Sequence, residues 1–245
     1  RVGIARVASI AQALGVTSPL PLVPSLALGT AEVAPMEIAR AYATLANGGR
    51  RPTPRMFVDV VEPGGLATEN RPLQGSVPVL DPAAAYLAVS LLEGVVDRGT
   101  AVRVRAQGMR GPIAGKTGTT DDEYDLWFVG FTPELVAVVW VGFDDPAPVG
   151  LPSSRGALPI WTDFMRDVVG AQVRGRFPRP SGLEPLEIDP QSGALALAGC
   201  PRRSEELFLL VTGPKATCPA EAVADPGEQP GFFRRTFRRL LGRRP

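Results

Sequence analysis

Apolar positions recur at a helical step at the start of the chain and at a strand step in its middle. Val2, Ile4, Val7, Ile10, Ala11 and Leu14 fall near one helical face and Gly15 supplies a stop, predicting a helix over 2–14. Ser18-Pro19-Leu20-Pro21-Leu22-Val23-Pro24-Ser25 is too proline-dense for a helix or a central strand. A second helix fits Pro35 to Ala46, with a proline suited to the first helical position and Asn47-Gly48-Gly49 at its end. Residues 55–62, ending at Pro63-Gly64-Gly65, read as a strand and turn. Asp81-Pro82 is an N-cap followed by a first-turn proline, and Tyr86, Leu87, Val89, Leu91, Leu92 and Val95 carry that helix to about Val96.

A Gly- and Arg-containing connection, 97–111, leads into three strand-like runs: Pro112 to Thr119, Leu126 to Phe131 and Leu135 to Phe143. Their short connections make an antiparallel meander the natural topology. Pro159 to Val169 predicts a last helix, whose Trp161, Phe164, Met165 and Val168 would share one face and pack on the sheet. Beyond Gly170, prolines and glycines recur without a long periodic run. The expected division is therefore a domain over 1–170, a loop-rich extension over 171–221, and a linker with a basic tail over 222–245.

Composition narrows the chemistry. With 245 residues, 44% hydrophobic and 21% charged, the chain can bury a sizeable core. Its longest apolar stretch, Trp127 to Phe143, is broken by Pro133 and Glu134, short of a membrane-spanning run. The absence of histidine removes Ser-His-Asp and Cys-His mechanisms and His-containing metal sites. A general base must then be lysine, a carboxylate or tyrosine. Cys200 and Cys218, each beside a proline, can form one disulfide in an oxidising compartment or remain two thiols. Net charge is +1 and points to no nucleic-acid partner, but six arginines and no acid stand within 231–245. There Phe232, Phe233, Phe237, Leu240 and Leu241 fall on one half of a helical wheel and Arg234, Arg235, Arg238 and Arg239 on the other. That pattern suits contact with an anionic membrane or wall polymer, or a disordered basic terminus.

Candidate chemistry centres on Gly115-Lys116-Thr117-Gly118-Thr119-Thr120. On an exposed strand, alternation sends Lys116 and Gly118 to one side and Thr117 and Thr119 to the other. Lys116 offers a positive charge to a carboxylate, and the hydroxyls both donate and accept. Gly118 lets a peptide approach the backbone and add itself as a strand, while the Thr119 N–H can stabilise a developing oxyanion. The plain alternative is a solvated strand end, since a lone tripeptide is a weak signal. Asp121, Asp122, Glu123 and Asp125 match no calcium-loop spacing and read as an acidic turn. Trp127 and Trp140, as strand residues, are expected in the core, with a cleft wall as the alternative. Asp97, Arg98, Gly99 and Thr100 form either a rim of the cleft or an ordinary loop.

Taken in order, Ser25-Leu26-Ala27-Leu28-Gly29-Thr30, Pro35 to Gly49, Gly94-Val95-Val96 with Gly99-Thr100, Gly115 to Thr120, Asp125 to Gly130, Val139 to Asp144 and Pro159-Ile160-Trp161 closely resemble class A penicillin-binding proteins over about 1–170. The resemblance implies an α/β (α+β) fold of the serine β-lactamase and penicillin-binding transpeptidase kind, a mixed, mainly antiparallel sheet flanked by helices. It implies a peptidoglycan D,D-transpeptidase that cross-links stem peptides through a serine acyl-enzyme, binds β-lactams and needs no cofactor or metal. By that likeness the catalytic residues would be Lys116, in the proton relay, and Thr119, whose N–H completes the oxyanion hole. Thr117, Gly118 and Thr119 would bind substrate. The parent would be a bifunctional synthase, also carrying a glycosyltransferase, that acts outside the cytoplasm in the envelope or periplasm.

Departures from the family pattern shape the expectation. The only lysines, Lys116 and Lys215, follow Ile113 and Thr212 at the third position, so no Ser-x-x-Lys exists; Asn47 and Asn70 follow Leu45 and Thr68 at the second, so no Ser-x-Asn exists. Arg1 opens the sequence without an initiator Met or a targeting pattern. We therefore expect the nucleophile and an inner-membrane anchor upstream of Arg1, and no transpeptidase activity from this stretch alone. A D,D-carboxypeptidase or β-lactamase-type hydrolase, or a non-catalytic binding module of the same fold, remain the rivals.

Overall fold

The computed structural model describes residues 2–55, 59–61, 67–70, 75–145 and 147–218. In chain order the elements are α1 (Ile4–Leu14), a 3₁₀ turn (Pro24–Leu28), α2 (Pro35–Ala46), β1 (Arg50–Arg51), β2 (Asp59–Val61), β3 (Ala67–Asn70), β4 (Val77–Pro78), α3 (Pro82–Arg98) and α4 (Arg103–Ala106). There follow β5 (Ala114–Thr119), a second 3₁₀ turn (Asp121–Glu123), β6 (Leu126–Phe131), β7 (Val136–Val141), α5 (Ala157–Val169), β8 (Leu183–Ile188) and β9 (Ser204–Leu209). The chain divides into two units between Glu184 and Pro185. The turn expected at Pro63-Gly64-Gly65, residues 56–58 and 62 of the strand expected before it, and all of the linker and basic tail expected over 222–245 lie outside the described residues.

Caps explain where the helices begin. The Asp81 carboxylate accepts from the N–H groups of Ala83 at 2.9 Å and Ala84 at 3.1 Å, satisfying two of the unpaired donors at the start of α3. At α2, Glu37 folds back to accept from the Ala34 N–H at 2.9 Å. The same carboxylate accepts from the N–H groups of Thr17 at 2.6 Å and Ser18 at 2.8 Å, from the Ser18 hydroxyl at 2.7 Å, and from the Thr17 hydroxyl. These donors hold the buried carboxyl well below its ordinary value of 4.5, at about 2. A charge that would be costly to bury alone thus ties the proline-rich loop to α2.

β5, β6 and β7 form the three-stranded antiparallel meander, with Ala114 opposite Phe131, Thr119 opposite Leu126, and Leu126 opposite Val141. Each face has its own apolar layer. Leu126 and Phe128 meet α5, where Trp161 stacks edge-on to Phe128 at 5.1 Å and donates its indole N–H to the carbonyls of Gly130 and Ala137. A Cβ on Gly130 would lie 2.5 Å from the Trp161 ring, so only glycine lets the helix approach this closely. On the opposite face Phe131 packs against Tyr42 of α2 and against Phe177.

Three expectations need correction. In α5, Trp161 and Met165 are buried but Phe164 and Val168 are about half exposed; the buried face runs through Ala157, Leu158, Trp161, Thr162 and Met165, displaced to one side of the face expected from hydrophobicity. In α1 the expected face is half-buried at Ile4, Val7, Ala11 and Leu14, but Ile10 is exposed and the one fully buried residue is Ala8, while Val2 lies exposed before the helix. Gly170 is not the edge of the first unit: Val173 and Phe177 contribute to its core, and Arg110 exchanges backbone hydrogen bonds with residues 171 and 173.

The second unit is smaller and differently held. β8 and β9 form a two-stranded sheet, and the buried hydrophobic residues in it are Ala194, Cys200 and Cys218. Cys200 and Cys218 are joined as a disulfide with Cα atoms 6.3 Å apart, closing a loop of 18 residues' separation. Such a link raises stability chiefly by restricting the unfolded chain, which suits a module with little apolar surface to bury.

Candidate active site

β5 lies at one end of the strand order, so among the described residues only its β6 side is paired. The Thr120 N–H donates to the Asp125 carbonyl at 3.2 Å, and stepping back by two along an antiparallel ladder turns the backbone groups of Gly118, Lys116 and Ala114 toward β6. The N–H and C=O of Thr117 and Thr119 consequently point to the free edge. Lys116, exposed, folds along that edge and donates to the Thr117 carbonyl at 2.8 Å. A cation, outward backbone donors and two hydroxyls therefore stand together along one strand whose outer edge is unpaired among the described residues.

Cross-strand register gives the faces. Lys116 and Gly118 lie opposite Val129 and Trp127, on the face that meets α2; Thr117 and Thr119 lie opposite Phe128 and Leu126, on the face that meets α5. The expected alternation holds. A Cβ on Gly118 would lie 3.2 Å from Trp127 Cβ, so the bare glycine also relieves crowding against its cross-strand neighbour. Gly115 is similarly filled, with Phe128 and the Val129 carbonyl less than 3 Å from where a Cβ would sit.

Each threonine has a hydroxyl partner. Thr117 Oγ1 lies 2.9 Å from Thr100 Oγ1, in the turn after α3, so the 97–100 stretch does border the motif. Thr119 Oγ1 lies 2.7 Å from Ser153 Oγ, and the Ser153 hydroxyl also donates to the Gly118 carbonyl. Ser153 is buried, at 1% exposure, in the loop leading to α5. No pattern in the sequence links residues 34 apart across a turn and two strands, and Ser153 carries no local motif.

The acidic turn is structural in the described geometry. Asp125 accepts from the Trp140 indole N–H at 2.8 Å and its own N–H donates to Thr120 Oγ1 at 2.8 Å, while Asp122 and Glu123 take left-handed backbone conformations. Among the described residues no group of His, Cys, Asp or Glu is arranged to hold a metal. Trp140 is 39% exposed and not core, because β7 is the other end of the sheet; it leans on Trp127 at 6.3 Å. On α3, burial and the nearby Asp97 carboxylate push Glu93 up to about 7, partly offset by Arg105, which pairs with Asp97 at 2.8 Å.

Chemically, this edge can receive an extended peptide as an added strand, attract its carboxylate, and direct backbone N–H groups at a carbonyl oxygen. It contains a positioned cation and donors but no Ser-x-x-Lys nucleophile.

Residues 22–165 match the family described as penicillin binding protein transpeptidase domain. Penicillin-binding protein 2D of Bacillus subtilis (strain 168) is 32% identical over 255 aligned positions, covering 98% of this chain and 36% of that protein. Penicillin-binding protein 1A of Neisseria cinerea is 42% identical over 165 positions, covering 64% and 21%. The crystal structure of penicillin-binding protein 1A from Haemophilus influenzae superposes with a TM-score of 0.81 at 25% identity, over 89% of this chain and 38% of that one. The chain thus spans well under half the length of these relatives. The mixed α/β architecture with its antiparallel meander is the penicillin-binding transpeptidase fold, and the chain belongs to the penicillin-binding protein transpeptidase family.

Proposed function

We propose that this chain supplies the Lys-Thr-Gly-Thr wall of a D,D-transpeptidase site in a class A, bifunctional peptidoglycan synthase, completed by a serine that lies before Arg1. The observation that carries this is the unpaired edge of β5, with Lys116, the Thr117 and Thr119 hydroxyls and the outward Thr119 N–H along one strand.

The donor stem peptide docks along β5 with its terminal carboxylate toward the Thr117 hydroxyl and its scissile carbonyl toward the Thr119 N–H. The serine oxygen attacks the carbonyl carbon of the D-Ala-D-Ala amide, and the negative charge on the carbonyl oxygen is met by the Thr119 N–H and the serine's own. The C–N bond breaks, the leaving amine takes up a proton and D-alanine departs. An amine of a second stem then attacks the ester carbonyl, forming the cross-link and returning the serine. Lys116 supports proton movement in both steps and orients the donor electrostatically. A β-lactam acylates the same serine, and its strained ring keeps the leaving amine attached.

This reading places the domain outside the cytoplasm, where a Cys200–Cys218 disulfide is stable. No described helix is long and apolar enough to cross a membrane, so anchoring falls to other parts of the parent, with the 231–245 tail as a contact for anionic lipid or wall polymer. Fluorescent-penicillin labelling of the parent, extended upstream of Arg1, tests it beside the Lys116→Ala variant. Strong labelling that falls by about 10²-fold or more in the variant is expected; a folded parent that takes no label would favour a non-catalytic module.

A further inference from the structure

We propose that Ser153 is a positioning residue for the transpeptidase site: from behind β5 it fixes the Gly118–Thr119 peptide and orders the Thr119 hydroxyl. The inference rests on the function proposed above and deepens it.

The Gly118 carbonyl and the Thr119 N–H belong to one rigid amide plane. Ser153 donates its hydroxyl proton to that carbonyl, while the N–H on the other side faces the free edge where an oxyanion would develop. A hydrogen bond to the carbonyl holds the plane against rocking and polarises the amide, which makes the N–H a stronger donor. A preorganised donor of this kind stabilises charge without reorganising during the reaction.

Ser153 has one hydroxyl proton, and it is committed to Gly118. The contact of 2.7 Å between Ser153 Oγ and Thr119 Oγ1 must therefore use the Thr119 proton. Thr119 then presents lone pairs, not a donor, to a ligand, and the carboxylate is left chiefly to Thr117, whose partner Thr100 can accept or donate. The two threonines are chemically unequal although they sit on the same face.

Ser153 is well placed to hold this arrangement. Its own carbonyl accepts from the Leu158 N–H at 3.0 Å at the start of α5, and Val149, earlier in the loop, donates to the Glu123 carbonyl at 3.0 Å just past β5. Gly156 leaves no space for a Cβ against Leu126. The loop is fixed on both sides of the serine.

The test follows acylation of the parent by benzylpenicillin, separating the limiting rate from the half-saturating concentration, with melting temperature as a control. Ser153→Ala is expected to lower the limiting rate about tenfold with half-saturation within twofold, and Ser153→Thr to recover most of the rate. Thr117→Val is expected to raise half-saturation about tenfold. An unchanged rate in Ser153→Ala, or a half-saturation raised by Ser153→Ala as far as by Thr117→Val, would overturn the proposal. Should Ser153→Ala not fold, Ser153→Cys, of similar shape but a weaker donor, decides by the same two readings. A wild-type parent that is never acylated refutes the function itself and removes the basis for this role, an outcome distinct from wild-type acylation that the variants leave unchanged.

Discussion

The two units of the chain reach a fixed structure by different means. The first buries whole aromatic rings, Phe128, Phe131 and Trp161, on the two faces of a three-stranded sheet. The second buries Ala194 and a cystine beside a two-stranded sheet. The difference teaches where precision is needed. Among the described residues β5 is paired only with β6, so the placing of Lys116 and Thr119 along its other side is carried by what lies behind the strand. Apolar packing and buried hydrogen bonds do that work in the first unit; in the second, a covalent link suffices to hold short strands and turns.

The first unit depends most on the packing behind the meander. Trp161→Ala deletes a buried ring that touches Phe128 and Gly130 and satisfies two carbonyls, and should cost about 3–5 kcal/mol in denaturant unfolding of the first unit. The second unit should keep its disulfide and its own exchange protection. Reducing Cys200–Cys218, or replacing both cysteines by serine, should do the reverse, with a loss of about 2–4 kcal/mol local to residues 185–218 and the site geometry retained. Heteronuclear NMR of each unit's amides would read both.

Glu37→Gln should cost about 1–3 kcal/mol at pH 7, since it leaves part of a buried donor cluster unpaired. Its folded value of about 2 lies below the ordinary 4.5, so the carboxylate's contribution is complete above pH 4.5 and fades as pH falls toward 2. The variant should lack that part of the acid sensitivity in melting curves. Glu93 has the opposite sign and the smallest effect. Its folded value of about 7 lies above 4.5, so the protein loses stability as pH rises through that interval, and Glu93→Gln should melt slightly higher than wild type at pH 8 and equally at pH 4.

The helices that begin with local signals were legible in the sequence. Pro35 and Asp81-Pro82 mark α2 and α3, and the tight connections between 112 and 143 yield the antiparallel meander. Lys116, Thr117 and Thr119 stood out because a short motif sits within one strand. What was hidden depends on tertiary distance. Ser153 meets Thr119 only after the chain has folded back, Trp140 is exposed because β7 ends the sheet, and the buried face of α5 is not the one that hydrophobicity alone picks out. The extent of the first unit past Gly170 escaped for the same reason: Val173 and Phe177 are isolated apolar residues in a proline- and glycine-rich stretch, without periodicity to announce them.

The central claim is that this chain is one wall of a serine acyl-transfer site whose nucleophile lies elsewhere in the parent. Mass spectrometry of the benzylpenicillin adduct, after proteolysis, tests it most directly. The account predicts a single acylated serine upstream of Arg1 in the parent and no adduct on residues 1–245 expressed alone. An adduct on any serine within 1–245 would contradict it.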